Sequence, residues 1–221
     1  MNKIGIFSYG RKGSQRCPNK MLRPFSGTTI LDILLNKLRI LGENTFFAGY
    51  DSEFKQKANN TGVTFIQRTK HSVSIDGPQI KCLSFLEAVD YDYLLLINGC
   101  LPFMKIKTVK KFMNDVINNG LQPSVVVSKR HNYFFSEKQR PLNFSSKIRV
   151  LNTKTITPLY ELGNALYFFN RQHFLNTGMF WEWENLRLVE MGSKIELIDI
   201  DTEEDFSFAE TIWNSQVDHG P

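Results

Sequence analysis

Two short stretches near opposite ends of the chain hold the residue types that phosphate chemistry needs. The first, "GRKGSQRCPNK", runs from Gly10 to Lys20 and gathers Arg11, Lys12, Arg16 and Lys20 on one loop. Arg and Lys neutralise phosphate oxygens through charge-assisted hydrogen bonds, which count most where charge develops on a leaving group. Arg11 and Lys20 therefore suit a triphosphate that loses pyrophosphate. Gly13 lets backbone N–H groups approach a ligand closely, Ser14 offers a hydroxyl donor, and Pro18 stiffens the return of the loop. The spacing is neither GxxxxGK[ST] nor GxGxxG, which excludes a Walker loop and a dinucleotide loop. A solvated basic turn would explain the Arg-Lys-Gly triplet, but not the whole pattern R-x-G-S-x-R-x-P-x-K. The second stretch, "IELIDID", ends at Asp201 and also holds Asp199. Two residues apart on an expected strand, the two carboxylates share a face. Such a pair suits Mg2+, which binds through carboxylates plus substrate phosphates. A helix beginning after Thr202 would account for Asp201 alone and leave Asp199 unexplained within an apolar run.

The distribution of charge points the same way. The chain of 221 residues carries a net charge of +5, and residues 1–31 hold six basic side chains and no acidic one. The remainder is close to neutral, with 21 basic and 22 acidic residues. A localised cluster with Gly and Ser reads as a pocket for a small polyanion. A nucleic-acid binder would spread its charge along a face and interleave aromatics, so no nucleic-acid partner is expected. Cys17, Cys82 and Cys100 have no paired spacing, which excludes a zinc ribbon and a disulfide framework. His71, His131, His173 and His219 stand too far apart for an imidazole metal site. No apolar run is long enough to cross a bilayer, and the opening "MNKIGIF" is too short for a signal-peptide core. A cytoplasmic protein without a membrane partner is expected.

These residues need a scaffold that brings both ends of the chain together. Strands are expected at Ile4–Phe7, Thr45–Gly49, Val63–Gln67, Tyr93–Asn98 and in "SVVVS", with a last strand over Lys194–Asp201. Helices are expected in "ILDILLNKLRIL", "DSEFKQKANN", "QIKCLSFLEAV", "KIKTVKKFMNDVINN" and after Thr202. The alternation predicts an α/β fold with a mainly parallel, Rossmann-like sheet flanked by helices, in one domain spanning residues 1–221. In such sheets ligands bind beyond the carboxyl ends of the strands, where the basic loop begins. Between about His131 and Tyr160 the pattern breaks into a polar, partly alternating stretch. It reads as a hairpin extension, or as a long surface loop.

The stretch "RKGSQRCPNKMLRPFSGTTILDILLNKL" resembles the N-terminal signature of the acylneuraminate cytidylyltransferases, which make CMP-sialic acid and related CMP-nonulosonates. Arg11, Gly13, Ser14, Pro18 and Lys20 match that pattern, while Gln15 replaces the usual Lys and Met21 the usual Asn. The resemblance extends over nearly the whole chain. "FIQRTK" is similar to a strand ending in an Arg-containing loop and makes Arg68 a candidate ligand contact, although a surface Arg would read the same way. "LLLINGCLPF" is similar to LLQPTSPLR: Pro102 matches, but Asn98, Gly99 and Cys100 replace Gln, Pro and Thr on a loop that faces the substrate. "YELGNALYFF" is similar to Y-x-x-N-G-A-x-Y. Tyr160, Ala165 and Tyr167 match, with Gly163 and Asn164 in swapped order, and the preceding stretch offers only Lys154 for the usual Arg-Gln pair.

The resemblance implies a nucleotide-diphospho-sugar transferase type of fold. It implies attack of an acidic sugar's hydroxyl on the α-phosphate of CTP, with release of pyrophosphate. Lys20 and Arg11 would meet the phosphates, Gly13, Ser14, Arg68 and Asn98 would line the nucleotide, and Asp199 and Asp201 would hold Mg2+. A homodimer is implied, with residues 131–160 closing the partner's site. The departures at Asn98–Cys100 and Gly163–Asn164 point to an unusual acid, a phosphorylated acceptor, or a non-catalytic nucleotide-binding relative in a surface-polysaccharide pathway.

Overall fold

The computed structural model describes residues 2–191 and 193–215; His219 lies outside them. The elements alternate as the hydrophobic pattern demands. They are β1 (Ile4–Tyr9), α1 (Ile30–Leu41), β2 (Thr45–Gly49), α2 (Ser52–Thr61), β3 (Thr64–Gln67), α3 (Lys70–Ser74), α4 (Gln79–Cys82) and β4 (Tyr93–Ile97). There follow α5 (Ile106–Asn118), β5 (Ser124–Arg130), β6 (Leu159–Asn170), α6 (Arg171–Thr177), β7 (Arg187–Glu190) and α7 (Glu203–Ser215). One sheet takes the order β3-β2-β1-β4-β6-β5-β7. Every neighbouring pair is parallel except those of β6, which runs against both β4 and β5. This is the mainly parallel, helix-flanked sheet expected of the nucleotidyltransferase type.

The apolar runs form strands because both faces of the sheet are covered. Leu94, Leu95, Leu96 and Ile97 of β4 are all buried. On one face, α1 presents Leu31, Leu34, Leu35 and Leu38, α2 Phe54 and Ala58, and α5 Val109, Phe112 and Val116. Phe7, Phe46 and Phe169 face the other way, against Leu83, Phe85, Leu86 and Phe174. Helix α1 starts where Thr29 accepts a hydrogen bond from the Asp32 N–H. Helix α7 packs Phe206 and Ala209 onto Cys17, Phe25 and Ile30 of the stretch after β1, so the last helix clamps the first loop.

Two expectations are corrected. The segment Lys194–Asp201 is not a strand: it makes a short 3-10 turn at Ile195–Leu197 and then runs extended. Its burial is the reverse of a strand's, since Glu196 is buried while Ile195 is exposed. The edge position is taken by β7, which the sequence pattern missed. Second, "QIKCLSFLEAV" breaks at Leu83 into α4 and a 3-10 turn over Ser84–Ala88. Between β5 and β6 the expected extension holds a short antiparallel turn, with the Ser136 N–H bonded to the Arg140 carbonyl and the Leu142 N–H to the Phe134 carbonyl, at 2.9 Å each. The described residues there show one isolated bridge, Phe135 with Pro141, and one 3-10 turn at Thr153–Thr155. The longer antiparallel pairing is that of β5 with β6, from Arg130 opposite Leu159 onward. Among the described residues no helix is long and apolar enough to cross a membrane.

Candidate active site

The basic loop leaves β1 at its carboxyl end, with the Gly10 N–H bonded to the Ala48 carbonyl of β2 at 3.0 Å. Beneath it lies Arg68, which is only 3% exposed. Its guanidinium donates to the carbonyls of Gly10 at 3.2 Å, Ser72 at 2.7 Å and Cys82 at 2.8 Å. Arg68 therefore does not present itself as a ligand contact. It ties the start of the loop to the chain around α3 and α4. Arg11 is likewise turned away, donating to the carbonyls of Val73 and Ile75 at 3.2 Å each and pairing with Asp76. Lys12 pairs with Glu53 of α2. Gly13 is exposed, with nothing within 4 Å of where a Cβ would stand. The Ser14 N–H is bonded to the Lys12 carbonyl at 2.8 Å.

The rest of the loop reaches the carboxylates. Lys20 is largely buried, donates to the Ile200 carbonyl and stands 3.1 Å from Asp201 Oδ1. Arg16 reaches the other oxygen, Oδ2, at 3.0 Å. Arg23 grips Glu203 with two nitrogens at 2.9 and 2.7 Å while its guanidinium lies 3.6 Å over the Phe206 ring. The carboxylate segment is fixed from the other side by the loop after β4. The Asn98 amide donates to Asp199 Oδ2 at 2.9 Å and to the Asn164 carbonyl at 2.8 Å, and its oxygen accepts the Cys100 N–H at 2.9 Å. The Ile200 N–H donates to the Cys100 carbonyl at 3.0 Å. Asp199 and Asp201 thus converge without a strand, held by loop-to-loop hydrogen bonds.

Burial, and then the charge of Asp201, push the Asp199 carboxyl up to about 6, against the opposing pull of Lys20 and the Asn98 hydrogen bond. Its Oδ1 is buried and has no hydrogen-bond partner. A buried anionic oxygen without a partner is costly, and a cation is the partner that would remove the cost. No three His, Cys, Asp or Glu side chains among the described residues form a closed metal cage. The pair Asp199 and Asp201 fits a different mode, in which Mg2+ takes one or two carboxylates and completes its shell with phosphate oxygens and water. Burial raises the neighbouring Cys100 thiol to about 11, so it is neutral beside Lys20.

The structure thus brings Lys20, Asn98, Asp199 and Asp201 together, and does not bring Arg11 or Arg68 to them. Arg16 belongs to the site although sequence reasoning gave it no role; its place between Ser14 and Pro18 in the basic pattern was the available signal. Asn164 adopts a left-handed backbone, φ 46°, and its side-chain oxygen accepts from the Tyr167 hydroxyl at 3.0 Å. Met21 is not at the site; it is buried in the core beneath Gly10.

A mainly parallel sheet whose first loop sets cations against a carboxylate pair at the strand ends is the arrangement of a nucleotidyltransferase. The chain belongs to the cytidylyltransferase family, whose sequence pattern matches residues 9–215, and it is a CTP-dependent nucleotidyltransferase. No curated protein matches it in sequence. Solved structures share the fold at low identity. CMP:2-keto-3-deoxy-manno-octonic acid synthetase complexed with CTP superposes with a TM-score of 0.70 at 15% identity, over 97% of this chain and 100% of the other. 4-Diphosphocytidyl-2C-methyl-D-erythritol synthase from Anaerococcus prevotii gives 0.66 at 13% identity, over 96% of each chain. A cytidylyltransferase from Leptospira borgpetersenii gives 0.65 at 16% identity, over 99% of this chain and 89% of the other.

Proposed function

We propose that the protein transfers CMP from CTP to an acidic sugar of the sialic acid (nonulosonate) class, releasing pyrophosphate. The observation that carries this is the convergence of Lys20 and Arg16 on a carboxylate pair whose Asp199 Oδ1 is buried and unpartnered. Lys20 and Arg16 bind the phosphates and stabilise the charge that collects on the leaving pyrophosphate. Asp199 and Asp201 would hold Mg2+, which would supply Lewis-acid chemistry to the bound phosphates. Asn98 keeps Asp199 aimed at that position. Phosphoryl chemistry asks the protein mainly for placement and charge, which is what these side chains provide. The acid class is supported by the matches at Tyr160, Ala165 and Tyr167 on β6. A structural neighbour's name as a synthetase of CMP:2-keto-3-deoxy-manno-octonic acid, an eight-carbon acid, supports a keto-sugar acid in general.

A second reading keeps CTP and changes the acceptor to a different acid or a phosphorylated compound. Asn164 favours it, because its amide oxygen is engaged by Tyr167 and its carbonyl by Asn98. The exposed apolar side chains of the 131–160 stretch (Phe135, Leu142, Val150 and Leu151) support its role as a homodimer contact. The test is pyrophosphate release from CTP with Mg2+ against a panel of nonulosonic acids, shorter keto-sugar acids and polyol phosphates. Turnover confined to nonulosonic acids is the expected result. Turnover only with phosphorylated acceptors selects the second reading, and CTP binding without turnover on any acceptor defeats both.

A further inference from the structure

Two oppositely charged side chains, Lys37 and Glu196, hold the backbone that follows the Asn98 loop. Glu196 is 6% exposed, one of only two charged residues among the described ones that are buried, the other being Arg68. It sits three residues before Asp199, and its Oε2 accepts the Lys105 N–H at the start of α5, at 3.0 Å. From helix α1, Lys37 donates its ammonium to the Pro102 carbonyl. Its charge is disfavoured by burial and favoured by Glu196. The backbone of residues 102–105 is therefore held by a carboxylate on one side and an ammonium on the other. The same loop begins with Asn98, which holds Asp199, and with Cys100, whose carbonyl holds Ile200.

An apolar pair would fill this space without the desolvation cost that buried charges carry. Two charged groups, each hydrogen-bonded to the loop backbone, instead fix one position of the loop, and side chains that orient metal ligands have to be locked to a fraction of an ångström. Resting on the metal reading above, we propose that Glu196 and Lys37 are positioning residues. They pin residues 98–105 so that Asn98 and Cys100 present Asp199 and Asp201 in one geometry to the divalent cation that accompanies the nucleotide. Neither side chain touches the ligand.

The test is calorimetric titration of CTP into the full chain, with and without Mg2+, for wild type, Glu196→Ala, Glu196→Gln, Lys37→Met and Asp199→Asn. Glu196→Ala is expected to cut the Mg2+-dependent gain in CTP affinity by about tenfold or more, the range for residues that support metal ligands. Affinity for CTP without Mg2+ stays within about twofold, because the basic loop is untouched. Glu196→Gln, which keeps an acceptor for the Lys105 N–H, recovers most of the gain. Lys37→Met loses several-fold, and it carries the test if Glu196→Ala does not fold. Full Mg2+ gain in both Glu196→Ala and Lys37→Met, with Asp199→Asn impaired, overturns this inference alone. So do equal losses with and without Mg2+. An Asp199→Asn variant indistinguishable from wild type overturns the metal reading, and this inference with it.

Discussion

Lys37 makes a testable statement about stability as well as about the site. Burial lowers its pKa from 10.5 to about 7, with Glu196 offsetting only part of that effect. At 1.36 kcal/mol per unit, carrying the charge in the folded state costs roughly 5 kcal/mol. Between about pH 7 and 10.5 the unfolded chain holds a proton on Lys37 that the folded chain releases. Stability from this site therefore rises with pH across that window and is flat below it. Lys37→Met keeps the length of the side chain and removes the charge. It also leaves the Pro102 carbonyl without its donor, a loss of about 1–3 kcal/mol. At pH 7 the variant should be the more stable by about 2 kcal/mol. The advantage should shrink with pH and reverse near pH 10, where a neutral Lys37 keeps its hydrogen bond. Urea unfolding of both proteins at a series of pH values between 7 and 10 measures the difference directly. A difference that does not vary with pH refutes the assignment of a buried, charge-strained ammonium, as does a variant less stable than wild type at pH 7.

Removing Arg68 as Arg68→Ala strands the carbonyls of Gly10, Ser72 and Cys82; unfolding should show a loss of at least about 3 kcal/mol, with weaker CTP binding because Gly10 begins the basic loop. Arg68→Lys, with one donor group, should recover only part. With its pKa at about 6, Asp199 takes up a proton below that pH, so Mg2+-supported CTP binding should fall about tenfold per pH unit there, read by titration. The folded chain holds that proton between about pH 3.8 and 6 while the unfolded chain does not, so this group's stabilisation is lost as pH rises through the window. Asp199→Asn should accordingly be more stable than wild type by about 3 kcal/mol at pH 7, yet lower kcat/KM by about a hundredfold or more. Leu151→Glu combined with Val150→Lys should convert a dimer to a monomer in light scattering; an unchanged mass rejects the 131–160 stretch as the contact. Mg2+ and CTP should raise each other's affinity by the same factor, measured by titrating each at saturating levels of the other.

How much of this was legible depended on what each residue's neighbours were. The β1, β2, β4 and β5 strands were readable because short apolar runs such as "YLLLI", bounded by polar and turn residues, are what strands buried on both faces require. The β7 strand was not, because "RLVE" is four residues long with charged ends and occupies the sheet edge. "KIELIDID" misled for a specific reason: its alternation looks like a strand's, but Glu196 points inward to the Lys105 N–H while Ile195 points out. The convergence of the two Asp residues was expected from strand geometry and is realised by Asn98 and Cys100 instead. Arg11 and Arg68 show the general limit. A guanidinium in a phosphate-like loop has the same sequence signature whether its donors meet a ligand or the chain's own carbonyls.

The contacts that remain explain why metal and nucleotide should act together. Lys20 is buried and bound to Asp201, whereas the Arg16 contact to the same carboxylate is mostly exposed and so worth little. A triphosphate arriving alone would draw Lys20 from Asp201 and leave that carboxylate beside the already unpartnered Asp199 oxygen. A cation arriving alone would neutralise the carboxylates and release Lys20 into a partly desolvated pocket without an anion. On the reading proposed above, a metal-bound triphosphate would satisfy both partners together: Lys20 and Arg16 would meet phosphate oxygens, and Asp199 and Asp201 would hold the cation. No charge would then be stranded, and the loop would stay clamped by Arg68 below and by α7 above.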